Sequence, residues 1–277
     1  MKLKVLIDNN TLIDRYFIGE PGVSYYIEEE GKKILFDVGY SDAFIKNANK
    51  MEIELTNLDY LIISHGHLDH TWGLMPLFYL YTERVFENQN YNKPKLVAHT
   101  ETFYSKTFDG DEIGSLIDEK KLKNHFSIEL SNKPVWITEN LVFLGEIERT
   151  NDFENQFPIG KFHNNGITKD DYLLDDSALA YKTEEGIVII TGCSHAGICN
   201  IIEHAKKICN DDRIIDVIGG FHLLEPEEEV ITKTVNYFDS QNIKEIHACH
   251  CTDLDSKIKL SKVVKLKEVG VGLEIEY

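Results

Sequence analysis

Short apolar runs alternate with polar segments along the chain, which is the pattern of a protein that mixes strands and helices. Alternation over 3–7 predicts a first strand, and the runs 22–28 and 33–37 predict a hairpin that turns at 29–32. The run 186–192 is almost wholly apolar, as is typical of a strand that is covered on both faces. The pattern therefore predicts an α/β fold with buried strands.

The second half of the chain repeats one unit, in which an apolar strand is followed by a polar strand end and then a helix. Strands are predicted over 186–192, 213–218 and 244–248, with helices over 198–208 and 226–239 between them. A histidine follows each of these strands, and the three are His195, His222 and His250. Because open α/β sheets hold their sites at the carboxyl ends of strands, we expect these histidines to share one rim.

The stretch 64–71 has the most distinctive chemistry and directly follows the apolar run 61–63. Within six positions it places four side chains that can bind a metal ion: His65, His67, Asp69 and His70. Imidazole suits zinc, iron and manganese, and a carboxylate adds a hard oxygen ligand. A tight loop at a strand end can aim several such groups at one point, so the spacing predicts a metal site.

Composition and charge narrow the classes of partner. The chain has 277 residues, of which 42% are hydrophobic, and this is enough for a sizeable core. Its formal charge of -18 argues against a general basic surface for nucleic acid, and no apolar run reaches the length of a membrane span. The five cysteines do not form the framework of a disulfide-stapled secreted protein, and the first strand lacks the apolar segment of a signal peptide. We therefore expect a cytoplasmic protein that acts on a small molecule, without a nucleic-acid or membrane partner.

Several motifs together carry a family resemblance. The H-x-H-x-D-H motif at 65–70, with Gly73 three residues on, resembles the metal motif of the metallo-β-lactamase superfamily. The segments 33–39, 192–197, 218–223 and 250–252 resemble the dihydropterin synthase-like branch, which is named for a member of methanopterin biosynthesis. The resemblance implies a four-layer αββα sandwich that spans 1–277 as a single domain. The weaker pattern at about 82–134 is interpreted as an insertion or lid over the site.

The resemblance also implies a ligand set for two divalent metal ions. In the superfamily the first two histidines of the motif, His65 and His67, serve one metal, and Asp69 with His70 serves the second. Many relatives then use a bridging aspartate, which this chain lacks near 192–195. We expect His195 to be the ligand there, with Cys193 as the alternative. His250 is expected to complete the set, and zinc is the expected ion, with iron or manganese as alternatives.

Other residues are assigned supporting or catalytic roles. Asp69 is expected to orient the nucleophile as well as bind a metal. His222 is expected to contact substrate or transfer a proton, with metal ligation as the alternative. Arg149 is a candidate anion clamp, because its guanidinium fits carboxylate or phosphate oxygens. The family resembled usually has proline before this arginine, where this chain has Glu148. Asp37 is implied to orient loop amides or a ligand histidine, and the polar stretch 8–10 is expected to cap a turn, with a position facing the metal site as the alternative.

These observations favour a metal-dependent hydrolase that uses a metal-activated water on a small ester, amide or phosphate-bearing substrate. The chain shows no G-x-S-x-G motif, which supports an activated water over a covalent serine route. Two alternatives remain. One is a transferase that joins a pterin to an aminobenzene ribosyl phosphate, as the family name implies, and the other is a metal-binding redox or sensor module, suggested by the cysteine-rich second half.

Overall fold

The computed structural model describes residues 1–277. Strands are the most numerous elements of the fold. The seventeen strands are β1 (Lys2–Ile7), β2 (Ser24–Glu29), β3 (Lys32–Phe36), β4 (Tyr60–Ile62), β5 (Lys95–Ala98), β6 (Ser105–Phe108), β7 (Asp111–Glu112), β8 (Ser127–Leu130), β9 (Val135–Trp136), β10 (Leu141–Phe143), β11 (Lys161–Asn164), β12 (Ile167–Asp170), β13 (Ala178–Lys182), β14 (Ile187–Thr191), β15 (Ile214–Gly220), β16 (Glu245–Cys249) and β17 (Glu274–Glu276). The seven α-helices are α1 (Ala43–Lys50), α2 (Leu68–Thr71), α3 (Leu74–Phe86), α4 (Glu119–Leu122), α5 (Ile198–Cys209), α6 (Glu228–Ser240) and α7 (Leu254–Leu260). The elements predicted in the second half lie within two residues of these bounds.

Two large sheets and one small sheet organise the strands. The first has seven strands in the order β17-β1-β2-β3-β4-β5-β8, and the second has six in the order β16-β15-β14-β13-β10-β9. Within each large sheet one run of strands is parallel, from β3 to β8 through β4 and β5, and from β14 to β16 through β15. The carboxyl ends of these parallel strands carry the loops of the site.

Three hydrophobic clusters show how the layers stack. One cluster lies between the two large sheets and takes side chains from both, including Phe36 and Ile190. A second packs the outer face of the first sheet against α1 and α3, as Leu35 and Leu77 show. The third packs the outer face of the second sheet against α5 and α6. The order of layers is helix, sheet, sheet, helix, which confirms the predicted four-layer αββα sandwich.

The strand β14 shows why an unbroken apolar run folds in this way. Val188 and Ile190 point into the core between the sheets, whereas Ile187 and Ile189 point towards the helices. All four side chains are fully buried. Burial of such a side chain contributes about 1.5–3 kcal/mol, so an alternating polar residue in this strand would lose that contribution on one face.

The predicted insertion at about 82–134 is not one continuous excursion. Helix α3 runs into its start, and β5 and β8 are integral strands of the first sheet. Only the stretch between these two strands leaves that sheet, and β6 and β7 there join β11 and β12 in the small four-stranded sheet. The weak pattern did not show that β5 and β8 belong to the first sheet, because strands of four residues carry little periodicity.

None of the helices combines the length and the apolar character that crossing a membrane requires.

Sharp turns at four strand ends aim side chains towards one another. Asp37 follows β3, Ser194 lies just beyond β14, and His222 and His250 follow β15 and β16 closely. Each has a positive φ between 48° and 62°, in the left-handed region that residues other than glycine rarely adopt. Such backbone costs about 1–3 kcal/mol and clusters at functional sites, so these turns mark where the sheet carries its chemistry.

Candidate metal centre

The loop after β4 is held in place before any metal ligand is considered. Asp37 accepts the backbone amide of Ser64 at 2.7 Å and its hydroxyl at 2.7 Å, so both carboxylate oxygens grip the start of the loop. At Gly66 a Cβ would lie 2.2 Å from the carbonyl oxygen of Thr102, so only glycine allows this approach. The amide of Gly66 donates to Asp175 Oδ2 at 2.8 Å. The loop is therefore fixed from two sides.

Three histidines form a first cluster. One side-chain nitrogen each of His65, His67 and His195 lies within 4.8 Å of the others, and all three residues are buried. His65 and His67 come from the loop after β4, and His195 comes from the loop after β14. His195 is positioned by Asp176, which accepts the amide of Ala196 at 2.8 Å.

A second cluster lies beside the first and contains four groups: Asp69, His70, Cys193 and His250. Cys193 Sγ is 3.3 Å from His70 Nε2 and 3.0 Å from His250 Nε2. Asp69 Oδ2 is 3.3 Å from His250 Nε2 and 3.7 Å from His70 Nε2. Because zinc binds sulfur at about 2.3 Å and nitrogen at about 2.0–2.1 Å, a tetrahedral site has ligand-to-ligand edges of roughly 3.3–3.6 Å. The observed edges lie close to that range.

The nitrogen atoms of the first cluster have the properties expected of metal ligands. The Nε2 atoms of His65 and His67 and both ring nitrogens of His195 are buried and have no hydrogen-bond partner. A buried polar atom without a partner costs about 1–3 kcal/mol, and native structures contain few of them. Several such atoms converging on one point are accounted for by a divalent ion that they would bind together.

Protonation states follow from burial and from the neighbouring charges. Burial lowers the pKa of His65 and of His195 well below the ordinary value, so both are neutral at pH 7, as ligation requires. Burial disfavours the charge on His70, but the carboxylates of Asp69 and Asp37 outweigh it and raise its pKa to about 9. Burial raises the pKa of the Cys193 thiol well above its usual value.

Hydrogen bonds at Nδ1 of His70 and of His65 determine which ring nitrogen of each histidine is available to an ion. His70 Nδ1 lies 2.7 Å from Asp37 Oδ2 and donates to it, which leaves Nε2 to face the second cluster. His65 Nδ1 lies 3.0 Å from the Ser64 hydroxyl, and it can donate there because that hydroxyl donates to Asp37. The implied supporting role of Asp37 thus has a concrete geometry.

The first strand of the chain supports the last ligand. Asp8 accepts the backbone amide of His250 at 2.9 Å, and Asn9 Oδ1 lies 3.0 Å from His250 Nδ1. Asp8 also accepts the amide of Asn10 at 2.9 Å, which is the turn that the sequence predicts. The stretch 8–10 therefore caps a turn and lines the site as well.

Both residues offered as alternatives near 192–195 lie in the centre, but in different clusters. The sequence predicts one ligand at this position, His195, with Cys193 as the alternative. His195 completes the group with His65 and His67, whereas Cys193 lies with His70 and His250. The turn at Ser194 separates the two side chains, and its positive φ sends them in different directions.

Two predicted substrate residues occupy different places. His222 lines the cavity over the clusters, with its ring centroid 4.3 Å from that of His195, and it belongs to neither cluster. Arg149 does not line that cavity. Its guanidinium donates to the carbonyl oxygens of Tyr172 and Leu173 at 2.9 and 2.8 Å, and it lines a separate depression. The anion-clamp role of Arg149 stays a prediction.

The cavity above the clusters has a volume of about 700 Å³. Its floor includes His67, Asp69 and His195, and Lys257 on α7 lies at its edge. Sequence reasoning did not single out Lys257 or Asp176, because a lone lysine on a helix and one acidic residue of a pair carry no spacing signal. The sequence places Lys106 only within the predicted insertion or lid at about 82–134 and carries no signal that its side chain is buried.

Comparison with known proteins agrees with this architecture. A family model of the metallo-β-lactamase superfamily matches residues 18–162, which is more than half of the chain. The chain belongs to the metallo-β-lactamase superfamily. The matched range contains the loop that supplies His65, His67, Asp69 and His70.

Individual members of the superfamily agree along most of the chain. An uncharacterized protein of Methanocaldococcus jannaschii is 32% identical over 265 residues, with 94% of each chain covered. The 7,8-dihydropterin-6-methyl-4-(β-D-ribofuranosyl)-aminobenzene-5'-phosphate synthase of the same organism is 30% identical over 91% of this chain and 87% of its own. A crystal structure described as a metal-dependent hydrolase of the β-lactamase superfamily has a TM-score of 0.83 at 29% identity, covering 100% of this chain and 99% of its own. The predicted resemblance to the dihydropterin synthase-like branch is confirmed.

Proposed function

We propose that this chain is a metal-dependent hydrolase that uses a metal-activated water on a small ester, amide or phosphate-bearing substrate. The observation that carries the proposal is the first cluster, in which three buried histidines direct unpartnered nitrogens to one point beside a cavity. Three protein ligands leave one coordination position for a reactant, as in catalytic zinc sites. The second cluster offers four ligands and is suited to a more completely enclosed ion.

Two divalent ions are proposed, and zinc is the proposed species. His65, His67 and His195 would hold one ion, and Asp69, His70, Cys193 and His250 the other. The thiolate of Cys193 is a soft ligand, which favours zinc over manganese at the second site. When bound, the ions supply an activated water and stabilise negative charge that develops on a substrate oxygen.

The surrounding residues have roles that follow from their positions. Asp69 lines the cavity floor and is proposed to orient the attacking water through its carboxylate. His222 is exposed at the cavity wall, where it can donate a proton to the leaving group or hydrogen-bond the substrate. Asp37 positions His70 and the start of the loop that carries His65.

The proposal is tested with zinc-loaded protein and a panel of aryl esters, aryl amides and phosphodiesters. We expect turnover of at least one class, loss of that turnover in His67→Ala, and near-normal secondary structure in the variant. A matched control is His163→Ala, because His163 lies in the small sheet and outside both clusters. Zinc-free protein after attempted reconstitution, or unchanged turnover by His67→Ala, would remove the proposal.

The transferase alternative has one supporting observation, which is the synthase among the relatives at 30% identity. Zinc-loaded protein would then consume a dihydropterin and an aminobenzene ribosyl phosphate together, and would be inactive on the hydrolysis panel. Mass spectrometry of the joined product distinguishes the two functions. A small-molecule substrate and a cytoplasmic location complete the proposal, and the five free cysteines suit that reducing compartment.

A further inference from the structure

A second cleft opens directly onto the metal cavity. It has a volume of about 770 Å³ and shares His195, His222 and Leu224 with the metal cavity. The two spaces therefore adjoin and form one trough, with His195 of the first cluster at their junction. The combined volume is larger than a very small substrate would fill, because pockets for drug-sized ligands measure about 300–1,000 Å³.

Large hydrophobic side chains that remain exposed to water line part of this second cleft, the apolar cleft. Phe157 on one wall is 79% exposed, and Leu224 on the other is 68% exposed. Phe153, Pro158 and Pro226 add further apolar surface between them. Exposed apolar residues are ordinary when scattered, but a group of them around a cleft marks a ligand-binding surface.

The wall that carries Phe157 is preorganised relative to the metal cluster. Asn155 donates its side-chain amide to the carbonyl oxygen of His195 at 2.9 Å, which ties the loop to a candidate ligand. Glu154 is buried and accepts the amides of Cys199 and Asn200 at 2.9 and 3.0 Å, at the start of α5. The loop that carries Phe157 is therefore anchored to the metal cluster and to α5 on its N-terminal side, two to three residues before the aromatic ring.

Charge distinguishes the two ends of the trough. The lining of the apolar cleft contains no lysine or arginine and includes five acidic residues: Asp152, Glu154, Glu227, Glu228 and Glu229. The ammonium of Lys233, which lies over the Phe153 ring, is already paired with Asp152 and Glu229. An anionic group would be repelled there. The metal cavity is lined by Lys257 and by only two carboxylates, those of Asp69 and Asp253, and the ions proposed for the two clusters would add positive charge beside it.

We infer that the substrate is an anionic ester or phosphoester that bears an uncharged aryl group, with Phe157 and Leu224 as the residues that determine specificity. The anionic group lies at the junction beside the clusters and towards Lys257. The aryl group lies in the apolar cleft, against the ring of Phe157. This inference rests on the proposed function, because the anion is placed by the metal centre.

The test compares two anions that are not hydrolysed, 1-naphthylphosphonate and methylphosphonate, by calorimetric titration of the zinc-loaded protein. Burial of the aryl group predicts a naphthyl affinity about ten-fold or more above that of the methyl compound. In Phe157→Ala this ratio falls to about three-fold or less, with methylphosphonate affinity unchanged. Phe86→Ala is the matched control, because Phe86 is 81% exposed and lies outside both spaces.

The outcomes separate this inference from the proposed function. Equal affinities of the two phosphonates for the wild-type protein overturn the aryl inference and leave the hydrolase proposal standing. A ratio that persists in Phe157→Ala also overturns the assignment of the cleft. If neither anion binds protein that contains zinc, the inference of an anionic substrate fails, whereas the proposed hydrolase function is decided separately by the turnover of the wild type and of His67→Ala.

Discussion

Lys106 offers the sharpest test of how the metal loop is supported. Its side chain is 0% exposed, and its ammonium lies 2.9 Å from Asp171 Oδ2 and 2.8 Å from Asp175 Oδ1. The other oxygen of Asp175 accepts the amide of Gly66, inside the metal-binding loop. Burial opposes the charge on Lys106, but Asp175 and Asp171 outweigh burial and raise its pKa. Lys106 therefore stays charged and links the small sheet to the loop.

We expect Lys106→Met to lower the free energy of unfolding by about 3–5 kcal/mol, because it leaves two buried carboxylates without their cation. Methionine fills most of the same volume, so the loss reports charge more than packing. Lys161→Met is the matched control, since the Lys161–Asp170 pair lies in the same sheet with its side chains 55% and 52% exposed. Removal of that exposed pair is expected to cost about 1 kcal/mol or less.

The assay is urea unfolding of the metal-loaded protein, followed by far-ultraviolet circular dichroism, with all variants measured at one pH. A second substitution checks the cause: Asp175→Asn in the Lys106→Met background should recover part of the loss, because it removes one stranded charge. The reasoning is refuted if Lys106→Met and Lys161→Met destabilise the protein equally. It is also refuted if Asp175→Asn adds its full cost to that of Lys106→Met.

Three further predictions concern the clusters. Cobalt-loaded protein should show a sulfur-to-cobalt charge-transfer band that is lost in Cys193→Ser. Cys209→Ser is the control and should retain the band, because Cys209 is a buried thiol outside the clusters. A band that survives in Cys193→Ser would exclude Cys193 as a thiolate ligand. At pH 7 both His70, with a pKa of about 9, and the Cys193 thiol are protonated. Binding of an ion to the second cluster should therefore release about two protons, and the affinity for the ion should increase as the pH rises towards 9. Calorimetry in buffers of different ionisation enthalpy measures this release, and a pH-independent affinity would contradict it. Asp37→Asn should lower the affinity of the second cluster about 10–100-fold, because it weakens the acceptor of the His70 proton; metal-competition titration with a chelator checks the loss.

Much of the fold was predictable because its strands are either alternating or fully apolar. The repeat of strand, histidine and helix in the second half placed His195, His222 and His250 on one rim, since parallel strands must end at the same edge of a sheet. The sandwich and the superfamily were also predictable, from the motif at 65–70. Local residue order was sufficient there because the first four candidate ligands lie within six positions of one another.

The cluster to which Cys193 and His195 each belong was decided only in three dimensions. Cys193 and His195 are two residues apart, and no spacing rule states that the left-handed turn at Ser194 directs them to different clusters. The burial of Lys106 likewise depends on Asp171 and Asp175, which are distant in sequence and are brought to it when the small sheet packs against the metal loop.

The sequence by itself determined the chemical inventory of this protein: a histidine-rich loop after a buried strand, three later histidines at strand ends, and an apolar pattern that predicts an α/β fold with buried strands. The tertiary structure decided which of these groups lie together in each cluster, which residues hydrogen-bond to them from behind, and that the apolar cleft adjoins them. The physical reason is that side-chain periodicity is a local property of the chain, whereas ligand geometry and charge pairing depend on distances between segments up to 242 residues apart.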